Sequence, residues 1–203
     1  MDRSFVWNKI AKRYSKQPIV DEAAYQKKLK ITRDYFTPEM EVLEFGCGTG
    51  STAITHAPYV KHIQAIDFSL RMIEIAQSKA DAENVENVTF KQSTVDQISV
   101  SVNTFDAVLG LSILHLLDDK EEVITKVHKM PKPGGLFVTS TVCMGDRMKI
   151  LKVIAPIGRL FGLILKVFAR KELEDSLTDA GFEIDYQWQP GKGRAVFIVG
   201  KKS

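Results

Sequence analysis

The chain has 203 residues, a net charge of +3, and 44% hydrophobic against 26% charged residues. That balance excludes a disordered or collagen-like chain and fits one ordinary globular domain that buries its own core. Two cysteines, Cys47 and Cys143, are too few for a disulfide framework or a four-cysteine zinc site. They read as free thiols of a reducing, cytoplasmic compartment, and Met1 to Ile10 lacks the apolar run of a signal peptide.

Residues 1–38 read as helical, with Phe5-Val6-Trp7, Ile10-Ala11, Tyr14, Ala23-Ala24-Tyr25, Leu29 and Tyr35-Phe36 as apolar positions and Pro18 and Pro38 as punctuation. The period then switches. Val42–Phe45, Ile63–Ile66, Val88–Phe90, Ala107–Leu109 and Leu136–Val138 are too short for helices and are rich in β-branched and aromatic residues. Between them, Ser69 can cap a helix through Met72, Ile73, Ala76 and Ala80. Asp118-Asp119-Lys120-Glu121 precedes Val123, Ile124 and Val127 in a capping pattern. Strand and helix alternate, which predicts a βαβαβ run with a parallel sheet and helices on both faces. At the C-terminal end, Gly181 ends a helix over 172–180. Phe182–Trp188 and Ala195–Gly200 are strands joined too closely to be parallel neighbours, so they form an antiparallel hairpin at the sheet edge.

The segment from Met144 to Arg170 is an insertion that a bare sheet does not need. Between Arg147 and Lys171 stand seven basic residues and no acidic ones, so the small net charge hides a basic window in an otherwise acidic chain. After Pro156 a helix would gather Ile157, Leu160, Phe161, Ile164 and Phe168 on one face and Arg159, Lys166 and Arg170 on the other. Two readings fit that pattern. One is a substrate lid in peripheral contact with an anionic membrane through 147–171; the other is a helix packed on the protein itself.

The stretch richest in chemistry is Glu41-Val42-Leu43-Glu44-Phe45-Gly46-Cys47-Gly48-Thr49-Gly50. A strand runs into three glycines and then a helix start, a bend where a ligand can lie against bare main chain. The next strand ends in Ala65-Ile66-Asp67-Phe68, which puts a carboxylate 19 residues beyond Gly48. That spacing suits a carboxylate accepting two hydrogen bonds from a ribose diol.

These stretches resemble the class I S-adenosylmethionine-dependent methyltransferases. Leu43 to Gly50 looks like the family's first motif, and Ala65-Ile66-Asp67-Phe68-Ser69 is similar to its ribose-binding acid and the helix that follows, which here contains Met72. Phe105-Asp106-Ala107-Val108-Leu109 resembles its fourth strand, and Lys132-Pro133-Gly134-Gly135-Leu136 the turn before its fifth. The resemblance implies a Rossmann-like, seven-stranded, mostly parallel α/β sheet with an antiparallel C-terminal hairpin. It implies a single domain over 1–203, with a helical lid at 1–38, a cofactor core at 39–142, the insertion at 143–171 and a last helix and hairpin at 172–203.

It also implies roles for individual residues. Glu44, Phe45, Gly46, Cys47, Gly48, Thr49 and Gly50 would hold the methionine end of S-adenosylmethionine. Asp67 would take the ribose, Phe68 would pack near the adenine, and Met72 would be a further cofactor-binding residue. Gly110 and Leu111 would flank the sulfonium. The family's adenine-binding Asp falls here on Thr94, beside Val95, with Asp96 two residues late; Thr94, a backbone amide or Asp96 would make that contact.

Methyl transfer from a sulfonium expels a neutral thioether, so it needs alignment, no metal, and a base only when the acceptor arrives protonated. His115 is the candidate base. Tyr14, Tyr25, His115 and Cys143 are candidate residues of a substrate pocket for a small, lipophilic acceptor. A nucleic-acid acceptor is disfavoured, because Gly110-Leu111-Ser112-Ile113 stands where base-modifying relatives carry an Asn/Asp-Pro-Pro-aromatic motif. A nicotinamide-dependent oxidoreductase is the rival reading, set back by a third glycine one residue early for GxGxxG. A non-catalytic module binding the same cofactor is the other.

Overall fold

The computed structural model describes residues 3–98, 101–143, 168–190 and 195–203. The backbone forms two compact units, residues 1–99 with 105–109 and residues 100–104 with 110–203.

The first unit opens with α1 (Arg3–Tyr14) and α2 (Glu22–Asp34), the latter started by Asp21, whose carboxylate accepts from Ala24 N at 2.9 Å. There follow β1 (Glu41–Phe45), α3 (Ser51–His56), β2 (His62–Asp67), α4 (Leu70–Ala82) and β3 (Val88–Gln92). β4 (Phe105–Leu111) begins in this unit. β1 pairs in parallel with β2 and with β4, and β2 with β3. Val42, Leu43, Ile63, Ala65, Ile66, Ala107, Val108 and Leu109 are wholly buried, which explains why these strands read as continuous apolar runs. α4 lays Met72, Ile73, Ala76 and Ala80 into the core, the i, i+4 stripe expected from its sequence. Ser69 caps it, accepting from Met72 N at 3.2 Å.

His56, at the end of α3, is 0% exposed and meets the Phe36 ring edge-on with centroids 5.2 Å apart. Neither ring nitrogen has a hydrogen-bond partner among the described residues. Burial, with Arg33 adding to it, pushes its pKa down to about 4, so the ring is a neutral core side chain near neutral pH.

The second unit holds the end of β4, α5 (Lys120–His128), β5 (Pro131–Val142), α6 (Arg170–Asp179), β6 (Phe182–Trp188) and β7 (Ala195–Lys202). Asp119 caps α5 through Glu122 N at 2.9 Å. At the start of α6, Glu172 Oε2 accepts from Ala169 N at 3.0 Å. β7 is antiparallel to both β5 and β6, and Phe137, Val138, Val196 to Val199, Leu173 and Leu177 form this unit's buried apolar set. The strand order is β3-β2-β1-β4-β5-β7-β6, so the expected mixed α/β sheet with a C-terminal antiparallel hairpin is present.

One boundary differs from the sequence reading. Lys132-Pro133-Gly134-Gly135 is not a turn ahead of the fifth strand but part of β5, which reaches back to Pro131. Gly134 takes φ +76, so the chain kinks inside the strand, and Lys202 Nζ donates to Pro131 O at 3.0 Å. Among the described residues no helix is long and apolar enough to cross a membrane. The expected insertion lies outside the described residues from 144 to 167.

Candidate functional site

The bend after β1 is built from three left-handed glycines, Gly46 (φ 66), Gly48 (φ 55) and Gly50 (φ 76). Gly50 N donates to Cys47 O at 3.0 Å, Cys47 N donates to Ile66 O at 3.0 Å, and Gly50 serves as N-cap of α3. Lys79 of α4 holds the outer side, donating to Thr49 Oγ1 and Ser51 Oγ, each at 3.0 Å. The position of Gly48 is open. Among the described residues, a methyl placed there would touch only the Tyr14 ring edge, at 3.9 Å.

Two carboxylates face this bend. Asp67, at the end of β2, accepts from Gly48 N through Oδ2 at 3.0 Å and from Ser69 N through Oδ1 at 2.9 Å. Burial raises its pKa, and the two amides pull it back. Each oxygen has a further lone pair to offer a ligand hydroxyl. Glu44 is 2% exposed, and its Oε2 has no hydrogen-bond partner among the described residues. Burial, then the charge of Asp67, pushes Glu44 up to about 8. An orphaned buried carboxylate beside an anion is a site for a cation, and an ammonium group would satisfy it.

The structure brings the two tyrosines of the first helices to the same place. The Tyr14 phenol is raised by burial, then by Asp67 and Tyr25. That of Tyr25 is raised by burial and by Glu44, against hydrogen bonds from Thr52 and Thr55. Trp7 meets Tyr14 edge-on at 6.0 Å. Cys47 is buried with Sγ 3.8 Å from Gly48 O, and burial holds its thiol protonated. Phe68 is half-buried, while Met72 is 1% exposed and belongs to the core. Ser93 N donates to Asp67 O at 3.0 Å, bringing the loop after β3 alongside. In that loop Thr94 Oγ1 accepts from Gln97 N at 3.2 Å, Val95 is buried and Asp96 is exposed.

In the second unit Gly110, Leu111, His115 and Cys143 surround the end of β5. Gly110 O accepts from Thr139 Oγ1 at 2.9 Å. His115 sits in a short 3-10 turn, 9% exposed, with Nδ1 3.1 Å from Thr141 Oγ1. Burial lowers its pKa to about 4. Cys143 Sγ lies 3.9 Å from Thr141 O.

Sequence reasoning missed Asn8. Its Oδ1 accepts from Ser69 Oγ at 2.7 Å and from Arg71 N at 3.0 Å, contacts that span 61 and 63 residues and leave no local signal.

The bend and both acids stand at the carboxyl ends of parallel strands, where open α/β sheets bind their ligands. Comparison with known proteins gives the family. A methyltransferase domain model matches residues 36–181. The chain belongs to the class I S-adenosylmethionine-dependent methyltransferases. It is 32% identical over 100 residues to the uncharacterized methyltransferase YcgJ of Bacillus subtilis, covering 49% of this chain and 40% of that protein. It is 30% identical over 151 residues to the ubiquinone biosynthesis O-methyltransferase of Rhizobium leguminosarum bv. trifolii, covering 71% of this chain and 60% of that protein. The matched stretch thus spans less than two thirds of the length of either relative. The crystal structure of YcgJ has the same fold, with a TM-score of 0.75 at 18% identity over 87% of this chain and 98% of that one.

Proposed function

We propose that the chain transfers a methyl group from S-adenosylmethionine to a hydroxyl of a small, lipophilic acceptor. The observation that carries this reading is the unpartnered Glu44 oxygen beside the glycine bend, with Asp67 one strand away. Glu44 would take the ammonium of the cofactor, the bend its carboxylate end, and Asp67 the ribose hydroxyls. When bound, the cofactor supplies an electrophilic methyl carbon on a leaving group that departs neutral. The protein's share is alignment, together with a proton acceptor for a hydroxyl. His115 is neutral down to about pH 4. With its proton on Nδ1, donated to Thr141 Oγ1, Nε2 is the acceptor. The class of acceptor rests on the apolar composition of 144–170 and on the printed name of the Rhizobium relative.

Calorimetry with S-adenosylhomocysteine tests the cofactor assignment. Wild type should bind, and Asp67→Ala should lose roughly 1–3 kcal/mol, the scale of charged hydrogen bonds. Heat-silent mixing at millimolar ligand would remove the assignment. The role of His115 is read from a pH profile of methyl transfer to a catechol or hydroquinone. Because its pKa is lowered, the neutral base persists through the range where an ordinary histidine protonates, and the rate should be flat from about pH 6 upward. His115→Ala should cost roughly 10²–10⁴-fold in kcat. An acid limb near 6.5, or an unchanged kcat in the variant, would assign the base elsewhere.

A further inference from the structure

We propose that Asn8 is a positioning residue that docks α1 onto the ribose-binding turn, so that cofactor binding and α1 docking are one coupled event. This rests on the reading of Asp67 as the ribose ligand.

The geometry is a relay of hydrogen bonds from α1 to the glycine bend. Gly48 N donates to Asp67 Oδ2, and Ser69 N donates to Asp67 Oδ1. Ser69 Oγ accepts from Met72 N and donates its own proton to Asn8 Oδ1 at 2.7 Å. Arg71 N donates to the same Asn8 oxygen at 3.0 Å. A backbone N–H can only donate, so the oxygen of the Asn8 amide must be the atom that faces α4.

The first-turn N–H groups of a helix have no partner within the helix. In α4 the cap Ser69 satisfies Met72, while Arg71 is satisfied by a side chain from another helix. Ser69 is 0% exposed. Undocking α1 would strip partners from Ser69 and Arg71, in the turn that also pins Asp67. The same helix carries Tyr14, whose ring edge lies at Gly48 and whose phenol feels Asp67. Docking thus delivers an aromatic wall to the bend and fixes the carboxylate with one amide oxygen. A ligand that needs both will bind more weakly when the docking contact is lost, and will hold α1 down when it is present.

The test compares Asn8→Ala and Asn8→Asp in the full chain, with S-adenosylhomocysteine as the probe. Asp keeps an oxygen that accepts from both donors, and a helix N-terminus favours its charge. Asn8→Ala should raise Kd roughly tenfold, about the loss of one net hydrogen bond to a buried partner. Asn8→Asp should restore it to near wild type. Hydrogen exchange should show ligand-induced protection of α1 in wild type and in Asn8→Asp, and much less in Asn8→Ala. A merely structural role would lower the urea midpoint of Asn8→Ala with Kd unchanged, and that result overturns the proposal. So does equal weakening in both variants. Failure of wild type to bind the probe would instead overturn the cofactor reading itself.

Discussion

Glu44→Gln should weaken cofactor binding by roughly 10–100-fold, the cost of losing a hydrogen bond to a charged group, and at the same time make the ligand-free protein more stable in alkali. The two effects have one cause. Glu44 is buried, and its folded-state pKa of about 8 lies above its ordinary value of 4.5. As pH rises the unfolded chain gives up this proton first. The contribution of Glu44 to stability is therefore complete below about 4.5 and is lost as pH climbs through about 8. Each pKa unit corresponds to about 1.4 kcal/mol, so the ionised carboxylate costs the empty fold a few kcal/mol. An amide does not titrate. Urea midpoints for wild type should fall between about pH 4.5 and 8 and level off above that, a fall that Glu44→Gln should lack; parallel profiles would mean that Glu44 is ionised in the empty protein. An ammonium beside Glu44 stabilises the anion, so binding near pH 7 should also release protons. Calorimetry in buffers of different ionisation enthalpy measures that release.

Gly50→Ala should be the most damaging change in the glycine bend. A Cβ on Gly50 would stand 2.7 Å from Ala76 Cβ and 2.9 Å from the Phe90 ring, and the backbone there has φ +76. The left-handed conformation costs an L-residue roughly 1–2 kcal/mol, and forcing extra atoms into a packed core costs typically about 1–3 more. The neighbours cannot yield easily, since Ala76 is a short side chain fixed on α4 and Phe90 sits on β3. A total of this size is a sizeable share of the roughly 5–15 kcal/mol that holds a domain folded. Gly48→Ala is the contrast. Its φ is +55, but the nearest atom is the Tyr14 ring at 3.9 Å, so the stability loss should be confined to the backbone term. On the proposed reading, the methyl added there would enter the cofactor's place rather than the core. Thermal unfolding should separate the two variants, and ligand titration should rank Gly48→Ala as the weaker binder for its stability. Equal melting temperatures for the two would overturn the packing argument.

Much of this was legible in the residues because burial on both faces leaves a continuous signature. Val42 to Phe45, Ile63 to Ile66 and Ala107 to Leu109 are all sheet-centre segments. The caps at Ser69 and Asp119 follow from short polar side chains that reach the next turn. That the three glycines make a left-handed bend and that Asp67 lies at the end of the neighbouring strand could be read, because both depend on local backbone and fixed spacing. The start of β5 was not legible: Pro133, Gly134 and Gly135 carry turn chemistry, yet the strand reaches back to Pro131, whose carbonyl accepts from the distant Lys202. Tyr14 and Tyr25 could be assigned to helices, but periodicity does not say what a tyrosine on a helix faces. In the structure they flank the two carboxylates. Asn8 was invisible for the same reason in stronger form, since its partners are fixed by tertiary packing alone.

The strand order leaves β3 and β6 at the two margins of the sheet. An open margin presents unpaired amides to any passing chain, the usual template for amyloid-like stacking. β6 departs from regular register between Ile184 and Tyr186, placing the exposed Asp185 at the irregularity, with Glu183 exposed beside it. β3 offers the exposed Lys91 and Gln92. A strand docking on either side would meet a fixed charge. Among the described residues, both flanks thereby carry charge that discourages recruitment of a foreign strand.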